Sequence, residues 1–204
     1  MLEPDYFYGK SDVLISYEQE LEDWILQDIA MRLLKAEAMA GTTDMELYKL
    51  RQLGLHQNEI VKRLSALTQK STAEIRRLLQ DAVLTSWDDD KMSRLGIDAV
   101  SPLENPVVME LLDAEFKKTL GEVNNLTRST MMQSQRDLMN MLNEAEMRVA
   151  AGVQSYSAAV CDILDRYGKT GIMIDYPTGT RRTLEAAVRM CVVTSMNQTA
   201  AQVT

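Results

Sequence analysis

Few side chains in this sequence have the type and spacing that chemistry needs. The single histidine, His56, has no cysteine nearby and so lacks the ligand spacing of a zinc site. Cys161 and Cys191 each sit inside an apolar helical pattern, where a thiol serves as a small hydrophobe rather than half of a disulfide or metal pair. The run Asp88-Asp89-Asp90 lacks the alternation and the sixth-position glycine of a calcium loop. No phosphate-binding glycine loop, nucleophile elbow or paired-histidine zinc motif occurs. The sequence is therefore read as a non-enzyme with no catalytic, metal or cofactor residues and no small-molecule substrate.

Two charged constellations remain. Asp28 and Arg32 stand one helical turn apart within an apolar stripe. That spacing forms an ion pair, and both a solvated pair and a partly buried structural pair stay open. The second constellation is basic. From Glu46 to Gln80 seven Lys/Arg face three acids, whereas residues 1–45 carry ten acids against three bases. Lys62, Arg63, Arg76 and Arg77 are its candidate contacts to nucleic acid or to an acidic partner. Thr43-Asp44 and the Ser71/Glu74 capping box, with Gly54 as a stop, divide this segment into three short helices. Their spacing reads as a helix-turn-helix, so a DNA-binding regulator is the alternative function. The formal net charge of −8 weighs against it.

The elements that must position these residues are mostly helices. A terminal arm carrying Tyr6, Phe7 and Tyr8 leads to a predicted helix from Ser11-Asp12 to about Ala40, with Leu14, Tyr17, Leu21, Trp24, Ile25 and Ile29 on one stripe. The turn-rich stretch 98–106 is the expected linker between an N-terminal part, 1–97, and a C-terminal part, 107–204. Asn105-Pro106 opens a helix to about Leu120. The polar run Asn124 to Thr130 breaks the apolar rhythm, and a further helix follows from Met131 to Gly152. Ser155 precedes a helix over 158–167, ended by Gly168. Ile172 to Tyr176, the turn Pro177-Thr178-Gly179 and a return strand predict a β-hairpin over about 172–182. Thr183 then opens a final helix burying Leu184, Ala187, Val188, Cys191, Val192 and Met196. Ile172, Ile174, Tyr176, Arg181 and Arg182 are candidate partner contacts, because a lone hairpin is marginal in water and must pack on something. The 14 methionines mostly read as core filler, with Met131, Met132, Met139 and Met141 dense enough for an interface. No apolar run is long enough to cross a bilayer, and no membrane role is expected. The fold class is mainly α, an elongated multi-helix assembly with one small β-hairpin near the C-terminus.

From Asn143 onward the sequence resembles the minor capsid protein 2 family of tailed bacteriophages. Met147, Val149, Gly152, Tyr156 and Ala159 carry the likeness, followed by Gly171-Ile172, Asp175-Tyr176 and Gly179 of the hairpin. Ala187, Arg189, Thr194, Asn197, Gln198 and Thr199 continue it on the closing helix. The element Asn125-Leu126-Thr127-Arg128-Ser129-Thr130, the opening MLEPDY and the Asp28-Ile29-Ala30 and Arg32 positions extend it over nearly the whole chain. The resemblance implies a structural virion protein of the phage head, made in the host cytoplasm. It implies assembly in multiple copies at the portal vertex with the portal protein and other capsid subunits. Contact with packaged DNA, and help in genome packaging or ejection, are further expectations from the likeness. Members of that family usually continue well past the Asn197-Gln198-Thr199 element, so a fragment of a longer protein is expected.

Overall fold

The computed structural model describes residues 6–42, 44–87, 101–175 and 179–203. Among the described residues the chain is mainly α-helical, with five α-helices and one small antiparallel strand pair. Helix α1 spans Asp12–Lys35, α2 Met45–Ser86, α3 Pro106–Ala150, α4 Tyr156–Thr170 and α5 Leu184–Val203. Strand β1, Met173–Asp175, pairs with β2, Arg181–Thr183, placing Ile174 opposite Arg182 and Asp175 opposite Arg181. The expected hairpin is thus present. Tyr176 and the expected turn residues Pro177 and Thr178, the cap residue Thr43, the Asp88–Asp90 run and the first residues of the 98–106 stretch lie outside the described residues.

Two compact units are assembled from separated stretches of chain. One takes Met1–Tyr17, Leu67–Leu126 and Glu185–Thr204; the other takes Glu18–Ala66 and Thr127–Leu184. The first centres on Phe7, Leu14, Ile75, Leu78 and Leu112, with the predicted face of α5 (Ala187, Val188, Cys191, Val192, Met196) fully turned inward. In the second, Leu21, Ile25, Ile29 and Leu33 of α1 are buried, as are Met45 and Ile60 of α2 and Leu138 and Leu142 of α3. Each unit therefore has an apolar core of its own, the main favourable term in folding.

The largest corrections concern helix breaks. The expected three helices between residues 44 and 80 are one uninterrupted helix, α2. Gly54 is a stop signal only when the apolar repeat also ends, and here Ile60, Leu67, Ile75, Leu78 and Val83 carry the buried face onward. Burial of that face outweighs the roughly 1 kcal/mol helix penalty of one glycine. Ser71 does not cap anything; it is buried in mid-helix. The helix-turn-helix reading has no turn to stand on.

The same lesson applies to α3. Asn105 does open it, its Oδ1 accepting from the Val107 and Val108 amides at 3.0 and 3.5 Å. The polar run 124–130 does not interrupt it. Val123, Thr127, Thr130, Ser134, Leu138, Met141 and Ala145 recur at three- and four-residue spacing and are all buried. Small hydroxyl residues fit such a stripe because they can bond their own helix: Thr119 Oγ1 donates to the Glu115 carbonyl and Ser134 Oγ to that of Met131. Ser155 caps α4 as expected, accepting from the Ala158 amide. That helix passes through Gly168 and ends at Gly171, whose φ of +65° and N–H bond to Tyr167 form a left-handed stop.

Candidate functional site

The most organised polar site lies in the second unit, where α1 runs beside the first turns of α2. Asp28 and Arg32 are both buried and meet side-on: Nε donates to Oδ2 at 2.5 Å and Nη2 to Oδ1 at 2.9 Å. Such a two-point bond fixes orientation as well as charge. The remaining guanidinium nitrogen, Nη1, donates to Gln52 Oε1 at 2.8 Å, and the Tyr48 hydroxyl donates to the Arg32 carbonyl. His56, fully buried, brings Nδ1 to 2.6 Å from Asp28 Oδ2, while Trp24 stacks on its ring. Arg63 covers the outer side of Trp24 at 4.4 Å. Burial pushes the Asp28 carboxyl upward, but the bonds from His56 and Arg32 outweigh it and hold the group below the usual carboxylate range.

This cluster is a buried network in which Asp28 and Arg32 are bonded on both sides, while His56 Nε2 is buried without a hydrogen-bond partner. Asp28 bonds two donors, Arg32 and His56. The sequence contained the missing members at a legible spacing. Tyr48, Gln52 and His56 stand at i, i+4 and i+8, but a helix stop assigned to Gly54 separates them.

Several basic residues of α2 have partners within the chain. Lys49 points inward, bonded to Glu46 at 2.6 Å and to Glu146. Burial lowers its affinity for a proton, yet those two carboxylates more than compensate and its pKa is raised. Lys62 pairs with Glu59, and Arg77 holds Glu74 through two bonds of 2.6 and 2.9 Å. Arg76 lies over the Phe116 ring at 4.2 Å and reaches Asp113. Each of the four candidate contacts, Lys62, Arg63, Arg76 and Arg77, thus has a partner within the chain.

The hairpin is anchored at its root. Glu22 of α1 accepts the Ile172 amide at 2.7 Å, and Ile172 is fully buried. Ile172 therefore holds the hairpin to its own unit instead of facing a partner. Arg181 and Arg182 on β2 are exposed. In the first unit Arg189 gathers the arm and α5, bonding Asp12 at 2.7 Å, Glu185 and the Tyr8 carbonyl while lying over the Tyr8 ring. Cys191 donates to Glu122 at 3.1 Å, and burial together with that carboxylate pushes its thiol pKa up, away from a reactive thiolate. Glu18 is almost fully buried with no hydrogen-bond partner on either oxygen, and burial alone pushes its carboxyl up to about 7. Among the described residues no group of three or more His, Cys, Asp or Glu side chains is placed to hold a metal ion, and no helix is long and apolar enough to cross a membrane.

A family model described as phage minor capsid protein 2 matches residues 2–204. No curated protein and no solved structure matches the chain.

Proposed function

The chain belongs to the phage minor capsid protein 2 family, and from that premise we propose that it is built into the phage head at the portal vertex during assembly. The family assigns it a structural place in the virion; the portal as its neighbour is our reading. The observation that carries it is the extent of the match, residues 2 to 204, which leaves no described unit outside the family's range. Side-chain chemistry points the same way. Several charged side chains join one element to another, Lys49 to Glu146, Arg166 to Glu144 and Arg189 to Asp12, and the buried Asp28 network ties α1 to α2.

In this reading the exposed cations Arg181 and Arg182 of β2 meet an acidic segment of the portal or of a neighbouring capsid subunit. Ile172 and Glu22 hold the hairpin root while that contact forms. The protein acts in several copies, and contact with packaged DNA is secondary to protein contacts. Co-expression with the portal protein tests the proposal. The two should co-purify, and Arg181→Glu with Arg182→Glu should weaken the affinity about tenfold, the loss of about 1.4 kcal/mol. Co-purification that ignores the double charge reversal removes the hairpin from the interface, and no co-purification removes the portal as partner.

A further inference from the structure

We propose that a groove between α2 and α3 in the second unit docks an acidic segment of another head protein, one that brings a large apolar side chain flanked by carboxylates. Leu53, Met132, Met139 and Arg136 line this groove of about 410 Å³, and no carboxylate lines it. The four methionines that the sequence singles out as dense enough for an interface divide here. Met141 is buried, whereas Met132 is 47% exposed and Met139 half-buried. Met132 and Met139 are seven residues apart and so share a face of α3. Thioether side chains adapt to the surface of a partner, and exposed apolar surface of this kind marks a contact site.

Charge identifies the occupant. Arg136 lines the groove, and Arg128 stands eight residues earlier on the same side of α3, about 12 Å away along the helix, with Met132 midway between them. Both arginines are exposed, and neither has a hydrogen bond, ion pair or ring partner among the described residues. The acids of this part of α3 are engaged elsewhere. Asp137 accepts from Tyr167 and Gln133, and Glu144 from Arg148 and Arg166. The two guanidiniums are therefore available to outside carboxylates, which such a group holds through two parallel bonds.

The complement is an apolar side chain seated among Leu53, Met132 and Met139, with an acid on either side of it. Nucleic acid fits less well, because phosphates would answer the cations and leave the apolar lining without a partner. The inference rests on the chain's place in the phage head, given by its family, and not on the portal as its neighbour.

Photo-cross-linking in assembled heads tests it. Benzoylphenylalanine placed at Asn140, an exposed residue lining the groove, should join the chain to a peptide of another head protein. Mass spectrometry should show that peptide to carry Asp or Glu on both sides of a large apolar residue. Arg128→Glu with Arg136→Glu should abolish the cross-link, and Arg128→Lys with Arg136→Lys should retain most of it. Both double variants should melt with the wild type, because neither arginine has a partner within the chain to lose. A cross-link that survives the charge reversal overturns the proposal, as does a peptide from the chain's own sequence, attachment to DNA, or no cross-link at all. A double reversal that melts well below the wild type also overturns it, by showing these cations to be used inside the fold. A cross-link to a capsid subunit, with no co-purification of the portal protein, would remove the portal reading and keep this one.

Discussion

Asp28 and Glu18 are two buried carboxylates on one helix with opposite consequences. Asp28 is satisfied by Arg32 and His56, so its folded form prefers the charged state. Its stabilising contribution is present above the ordinary carboxylate range and is lost as pH falls through its lowered pKa. Removing one member of such a buried pair strands the other, at a cost of roughly 3–5 kcal/mol. Asp28→Ala should therefore lower the melting temperature far more than loss of the exposed Lys62–Glu59 pair, worth about 0–1 kcal/mol; equal shifts would show the network to be solvated. Glu18 has no partner, so its folded form prefers the proton. Between pH 4.5 and about 7 the folded chain holds a proton that the unfolded chain releases, and stability falls as pH rises through that window. The shift corresponds to roughly 3 kcal/mol at its full extent. Glu18→Gln should raise the melting temperature at pH 8 and flatten its pH dependence between 4.5 and 7. Parallel curves for wild type and variant would contradict the assigned burial of charge.

At the scale of elements, glycines decide where helices end only when geometry demands them. Gly171 has φ +65° and a Cβ there would stand 2.7 Å from Glu22 Oε1, the acceptor of the Ile172 amide. Gly152 has a similar φ, +67°, but open space around it. Gly171→Ala should cost about 1–3 kcal/mol of backbone strain plus displacement of Glu22, and so more than Gly152→Ala. Equal losses in thermal denaturation would mean that the Glu22 contact carries nothing. At the hairpin, Gly179 has φ +80° and nothing near its Cβ, so Gly179→Val strains the turn without a clash. Combined with Ile174→Pro, which removes a strand donor, it should lower incorporation into heads while helix content by circular dichroism holds. Normal incorporation would free the hairpin from any docking role.

These elements also show what sequence alone could and could not tell. The hairpin, the Ser155 cap, the Asn105 start and the inward face of α5 were legible because each is a local signal, a turn, a cap or a helical repeat. The continuity of α2 and α3 was not. Gly54, Ser71 and the Asn124–Thr130 run look like breaks in isolation, and only burial of Thr127, Thr130 and Ser71 shows that packing overrides them. The Asp28 network was half visible for the same reason, since His56 joins it only when α2 runs through Gly54 unbroken.

At the scale of the whole molecule, the chain is a structural phage head protein by its family, and the proposed place for it is the portal vertex. The described helices, the ion pairs that join them and the family match over residues 2–204 support a role in assembly. The most direct test is quantitative mass spectrometry of purified proheads, comparing particles assembled with the portal protein against particles assembled without it. A fixed copy number per particle is expected in the first and near-complete loss of this chain in the second. Equal incorporation into portal-free heads, or absence from both, would contradict it.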